Sequence, residues 1–228
     1  MAIVHNTTMS PTKIELLAAW LPAQPWFPGG GREPELTRVG GFRLDDPAGE
    51  VGIEFMLVTD GSGEPPVTYQ VPMTYHGREL PGADGRLIGV SEHGVLGRRW
   101  IYDGIRDPVL VAQLVAFFQG EVEAQAQSVS HTPDPTVTIQ PAIGGPLAVI
   151  SSVVTDDDQS GTHLLVDTAS PDGRPAGELA VRIRRILSPG ADQVGDPCLS
   201  ATWRQPDGTQ ARGVLATALH TPMPGLEP

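Results

Sequence analysis

Alternation with a period of two runs through the first half of the chain. Val67, Tyr69, Val71, Met73 and Tyr75 fall on every second position, the spacing that lines one face of a half-buried strand. Upstream, Ile53, Phe55 and Leu57 alternate with Glu54, Met56 and Val58, which predicts a strand over 51–59. Asp60-Gly61-Ser62-Gly63 lies between the two runs and reads as the turn of a hairpin. Shorter runs predict strands over 36–44, 87–90 and 100–102. Pro72 cannot donate to a ladder, so an edge or a bulge is expected there, leaving pairing surface for self-association.

Two segments carry a helical pattern instead. Ile14, Leu17, Ala18 and Leu21 share one face, preceded by Ser10-Pro11 and by an overlapping capping box of Thr12 and Glu15, and Pro22 stops the run. Asp107-Pro108 opens the second helix as cap and first residue. Its apolar residues, Val109 and Leu110 through Phe117 and Phe118, cover almost every side, which predicts a buried helix. Gly120 is its natural end, with 121–127 as an alternative extension.

The polar stretch 128–135 contains two prolines and divides the chain into expected units over 10–128 and 129–220. Beyond it, strands are predicted over 136–140, 147–155, 162–168, 178–187, 198–204 and 213–219. Turns are predicted at Asp156-Asp157-Asp158, Ser170-Pro171-Asp172-Gly173 and Gln205-Pro206-Asp207-Gly208, with a loose tail over 221–228. Turn signals about every ten residues point to an antiparallel sheet. The expected class is α+β: a helix on an antiparallel sheet, followed by a second β-rich antiparallel region.

Composition agrees. Glycine (27) and proline (23) make up 50 of the 228 residues, which favours short strands and many turns over long helices. The net charge of −12 supplies no basic stripe for nucleic-acid phosphates or an anionic membrane surface, so neither is an expected partner. No apolar run is long enough to span a bilayer, and residues 1–10 do not read as a signal peptide; a cytoplasmic address is expected. Cys198 is the only cysteine, which excludes an intrachain disulfide and a thiol-rich metal site.

Candidate chemistry is sparse. Lys13 is the only lysine, and no glycine-rich turn precedes its helix, so a phosphate cradle is not legible. The six histidines show no metal-ligand spacing, and no cofactor or metal is expected. Gly61-Ser62-Gly63 lacks the spacing of a nucleophile elbow. Glu92-His93 is the most enzyme-like pair, but adjacent residues on an extended segment point to opposite faces. Trp26, Phe27, Tyr69, Trp100 and Tyr102 could form a stacking platform for a sugar, and Trp26, Tyr69, Arg98, Trp100, Tyr102 and Asp103 are the candidate ligand-binding residues. Core packing of those rings is the competing reading. Arg98-Arg99 beside Trp100, and Arg182, Arg184 and Arg185 around Ile183, could grip an acidic partner. In a strand, Arg182 and Arg184 lie on one face, with Arg185 on the other beside Val181 and Ile183.

Four segments, taken together, carry a family resemblance: Trp20-Leu21-Pro22-Ala23-Gln24-Pro25-Trp26-Phe27-Pro28-Gly29, Tyr69-Gln70-Val71-Pro72, Leu87-Ile88-Gly89-Val90 and Tyr102-Asp103-Gly104-Ile105-Arg106-Asp107-Pro108. In order and spacing they resemble the N-terminal cap of actinobacterial maltokinases over about residues 10–120. The whole chain is similar to small stand-alone cap-like proteins of actinobacteria. The resemblance implies a cystatin-like fold, a helix packed on a curved antiparallel sheet, and a connection to maltose, trehalose or glycogen metabolism. In the kinases a strand after the cap carries the ATP lysine; the segment that resembles it here, Leu179-Ala180-Val181-Arg182-Ile183-Arg184-Arg185, has none. The expectation is a non-catalytic binding or regulatory module whose partner is a protein or another copy of itself; the alternatives are a small-molecule (sugar) binding protein and an accessory part of a sugar kinase.

Overall fold

The computed structural model describes residues 8–28, 32–129, 131–140, 146–159, 161–190 and 197–223. The glycine turn at 29–31 and most of the expected tail, 224–228, lie outside them. The elements run β1 (Met9–Ser10), α1 (Lys13–Trp20), β2 (Leu36–Leu44), β3 (Gly52–Asp60), β4 (Val67–His76), β5 (Leu87–His93), β6 (Gly97–Asp103), α2 (Pro108–Phe118) and β7 (Gln125–Ala126). They continue with β8 (Thr138–Ile139), β9 (Ala148–Asp158), β10 (Gly161–Ala169), β11 (Pro175–Ile183), β12 (Ile186–Leu187), β13 (Cys198–Arg204) and β14 (Gln210–Pro222). The class is α+β and strand-rich.

Local chemistry sets the helix ends. Thr12, rather than Ser10, caps α1: the Glu15 amide donates to Thr12 Oγ1 at 3.2 Å, and the Thr12 amide donates to the Glu15 carboxylate at 2.7 Å. Ser10 is taken by β1, which pairs with β5. Asp107 caps α2 by accepting from Val109 N at 3.0 Å, with Pro108 following. Gly120, at φ +75°, ends α2 in the left-handed region that favours glycine, and the chain beyond it forms β7 instead of more helix.

Two antiparallel sheets result. The first, curled sheet has the order β1-β5-β6-β4-β3-β2-β7, with β12 as an eighth strand against β4. The second has the order β8-β13-β14-β11-β10-β9. The Asp156–Asp158 segment, expected as a turn, forms the end of β9, with Asp156 opposite His163 and Asp157 opposite Thr162. Thr221 and Pro222, expected in the tail, complete β14 opposite Glu178 and Gly177.

One face of the first sheet carries α1. Leu17, Leu21 and Trp26 pack there with Met56, Val58, Tyr69, Val71 and Met73. The other face carries α2 and the second sheet: Phe42, Phe55 and Leu57 join Leu114, Phe117 and Phe118 of α2, and Leu164, Val181, Leu199 and Leu215 of the second sheet, in one core. β4 is therefore not half-buried as expected. Its second face carries Gln70, Thr74 and His76, all buried. A period of two identifies which residues share a face, but not whether the polar face meets water.

The predicted strand over 178–187 is two strands in two sheets. Arg184 N donates to Leu215 O at 2.9 Å within the second sheet; one residue later Arg185 O accepts from Gln70 N of β4, also at 2.9 Å. This crossing explains Pro72. Residues two apart on a strand direct their amides to the same side. An amide at position 72 would follow Gln70's and point between β12, which pairs Thr68 and Tyr69, and β6, which pairs Met73 onward. No ladder partner lies there, and proline has no amide to leave unmet. The expected edge at Pro72 is an interior strand whose neighbour changes, so its pairing surface is already occupied.

Candidate functional site

The crossing places a charged side chain in the core. Arg185 sits in the bend between β11 and β12, with a side chain 0 % exposed. Its Nη2 donates to Asp103 Oδ2 at 2.6 Å and its Nε to Thr162 Oγ1 at 2.7 Å. Its guanidinium carbon lies 5.2 Å from the centre of the Trp26 ring, a cation–π distance. One side chain thus joins the segment after α1, the end of β6 and β10 of the second sheet. A buried charge needs such a set, because an unpaired one is prohibitively costly in a low-dielectric interior.

Trp26 and Tyr69 are 0 % and 1 % exposed, their ring centres 5.9 Å apart, and Trp20 meets Trp26 edge-on at 5.8 Å. Burial, with the Asp60 charge adding to it, pushes the Tyr69 hydroxyl well above its usual range. Tyr102 is also buried; its hydroxyl accepts from Leu80 N at 2.9 Å and its ring meets His76 edge-on. The structure thus brings Trp26, Tyr69 and Asp103 into one neighbourhood, with Tyr102 next to Asp103 in β6. Trp100 is half-buried at the opposite end of the β4–β6 pairing, beside His76. Arg98 is exposed and donates to Glu92 at 2.8 Å, a pair 61 % and 60 % exposed. The six candidates do not form one platform, and the rings of Trp26, Tyr69 and Tyr102 pack inside the protein.

Two further buried pairs were not legible as sites. Glu54 on β3 accepts from Lys13 Nζ at 2.6 Å, from Gln127 Nε2 at 2.9 Å and from the Tyr75 hydroxyl. Lys13 Nζ also lies 5.1 Å from the centre of the Tyr75 ring. Burial alone pushes the Glu54 carboxyl up, but the Lys13 charge, with hydrogen bonds from Lys13 and Tyr75, outweighs it and leaves Glu54 below its ordinary range. The Tyr75 hydroxyl is raised by burial and by Glu54. The chain's single lysine is engaged with this core carboxylate. On the α2 side, His76 Nε2 lies 2.6 Å from Asp107 Oδ2. Burial raises the Asp107 carboxyl, while the His76 hydrogen bond and the Val109 amide more than reverse the effect and hold it low.

Glu92 and His93 do not cooperate. Glu92 pairs with Arg98, and His93 Nδ1 accepts from the Leu96 amide at 3.0 Å in the hairpin turn. Among the described residues no group of three or more His, Cys, Asp or Glu is placed to hold a metal ion. An open groove of about 490 Å³ runs between α1 and 32–34, lined by Glu15, Ala18, Ala19, Pro22, Arg32 and Glu33 with Pro34. None of the six candidate residues lines it. No described helix is long and apolar enough to cross a membrane.

Arg185 had a readable signal. It keeps the parity of Val181 and Ile183, and an arginine on the apolar side of an alternating strand demands a buried carboxylate. What the sequence concealed is that the carboxylate is Asp103, on a different sheet. No curated protein matches the chain. Residues 20–107, from the last residue of α1 to the cap of α2, match the family described as the maltokinase N-terminal cap domain.

Proposed function

We propose that the chain is a non-catalytic binding or regulatory module: a cap-like unit over 10–128 folded onto a β-rich unit over 129–220, acting by contact with another protein. Enzymes of maltose, trehalose or glycogen metabolism are the partner class suggested by the likeness to a maltokinase cap. The observation that carries the reading is the use of the polar groups packed into the fold. Arg185–Asp103, Lys13–Glu54 and the His76–Asp107 hydrogen bond each tie one element to another, so these side chains hold the fold together instead of facing a cleft. The alternative, sugar binding at Trp26, Tyr69, Arg98, Trp100, Tyr102 or Asp103, has to rely on the half-buried Trp100 and the exposed Arg98, since the remaining rings are enclosed.

The test is direct. Purified protein with ATP and maltose or glucosamine is expected to release no ADP above a protein-free blank. Maltose, trehalose and glucosamine are expected to leave the unfolding midpoint unchanged, because only a ligand that prefers the native state raises it. Sustained turnover would overturn the non-catalytic reading. A saturable rise with one sugar, lost in Trp100→Ala, would favour the alternative. Titration against purified enzymes of the three pathways, followed by sedimentation, then tests for the partner.

A further inference from the structure

The second sheet has an outer face that no described element of the chain covers. Its strands place Val153, Leu165, Ala180 and Leu219 directly opposite one another across β9, β10, β11 and β14. Val153 is 55 % and Leu219 64 % exposed, Ala180 is exposed and Leu165 is half-buried. Single exposed apolar residues are ordinary on any surface. Four in one row across four adjacent strands form a continuous stripe, which marks an interaction surface.

To either side the face turns polar, two residues along each strand or three on β9 where a bulge intervenes; one flank is acidic and the other mixed. One flank carries Ser151, Asp167, Glu178 and Thr221 in register; the other carries Asp156, His163, Arg182 and Thr217. Asp167, Glu178 and Arg182 are exposed. The stripe therefore separates an acidic flank from one bearing the arginine and the histidine.

We propose that this face is a contact surface between two copies of the chain. A two-fold axis lying along the stripe keeps every residue on its own strand position while exchanging the two flanks. It sets Glu178 against Arg182 of the second copy, Asp167 against its His163, Thr221 against its Thr217 and Ser151 against the acceptor Asp156. The stripe meets itself, Leu165 on Leu165 and Ala180 on Ala180. Such self-complementarity is what an isologous interface requires. An acidic or a basic partner would satisfy one flank and oppose the other. Packed sheets lie about 30° from parallel, so the match is best at the central strands β10 and β11. Four strands about 4.8 Å apart and some seven residues deep offer roughly 500 Å² per copy, about 1,000 Å² in total. That is the low end for a specific interface, so a reversible dimer of micromolar or weaker affinity follows. The proposal stands independently of the non-catalytic reading, since ATP turnover would leave this face unchanged.

Sedimentation velocity of the full chain from about 1 μM to about 1 mM tests it, a range that spans the affinity a small interface supports. The expected result is a monomer–dimer equilibrium in which Leu219→Asp raises Kd at least about tenfold while leaving the monomer's unfolding midpoint in place. Glu178→Arg is expected to weaken the dimer by bringing two arginines together, and Glu178→Arg with Arg182→Glu to restore it. A monomer at every concentration would overturn the proposal. So would a dimer that Leu219→Asp leaves intact, which would place the contact at the open edge of β9, or a charge swap that restores nothing.

Discussion

In the first sheet, β3 and β4 are covered on both sides, by α1 on one and by α2 with the second sheet on the other. In the second sheet, β10 and β11 are covered on one side only, and their burial alternates from residue to residue over 162–168 and 177–183. The sheet that matches the cap family is thus the enclosed one, and its polar side chains are used in cohesion. The sheet outside the match has an outer face that no described element covers. Family likeness and available surface lie in different parts of the molecule.

The largest expected effect comes from the residue joining the two sheets. Arg185→Ala leaves Asp103 in the core without its partner and removes the contact over Trp26, a loss of about 3–5 kcal/mol in urea unfolding. Arg185→Met with Asp103→Leu is expected to recover most of it, because no charge is then left buried alone. Trp26 near the junction and Trp203 in the second sheet give fluorescence probes. With far-UV circular dichroism they are expected to report one coincident transition, since Phe55, Phe117, Leu164 and Trp203 share a core. Two separated transitions would show that the sheets fold independently.

That junction also marks the limit of what the sequence displays. Leu179, Val181, Ile183, Arg185 and Leu187 are all buried, so the alternation continues unbroken across the change of sheet. A period of two reports which way a side chain faces and is silent on which strand lies alongside, so 178–187 reads as one strand. Local signals fared better. The bounds 36–44 and 198–204 and the caps at Thr12 and Asp107 are legible, because turn and capping chemistry acts over two to four residues. The buried polar face of β4 was not, since Gln70, Thr74 and His76 have the same pattern as a solvated face. The aromatic residues stand out in the sequence, but whether a ring faces a ligand or a core depends on residues far along the chain. Trp26 meets Arg185, a contact that no spacing announces.

A smaller effect separates the two sides of the enclosed sheet. Glu54→Gln removes the charge that Lys13 and Tyr75 hold on the α1 side, with an expected loss of about 2–3 kcal/mol at neutral pH. The folded pKa of Glu54 is lowered, so its contribution is present above the unfolded value of about 4.3 and is lost as pH falls through the folded value. Urea unfolding of the parent is expected to weaken more steeply than that of the variant below about pH 4, until the two converge. Parallel profiles would mean that Glu54 does not carry the α1 face.

Smaller again is the difference between the two helix caps. Asp107→Ala is expected to cost about 1–2 kcal/mol, at the upper end for a cap, because Asp107 also meets the buried His76. Thr12→Ala, at an exposed cap, is expected to cost about 0.5–1 kcal/mol. Thermal midpoints of the two variants under one buffer rank them. The reverse order would assign more cohesion to the outer α1 side than to the side facing the second sheet.

The smallest effect is expected at Arg98, the exposed counterpart of Arg185. Both arginines pair with a carboxylate, yet the Arg98–Glu92 pair stands in solvent while Arg185 is enclosed. High dielectric screens the surface pair, and ordering two long side chains offsets most of its attraction, so Arg98→Ala is expected to change stability by less than about 0.5 kcal/mol. Repeating the measurement in about 0.5 M salt is expected to erase even that, because screening at that ionic strength acts within several ångströms. A loss of the size expected for Arg185→Ala would mean that this hairpin is held to something beyond Glu92. The enclosed sheet would then reach solvent with a working contact of its own, and its contrast with the open face of the second sheet would fail.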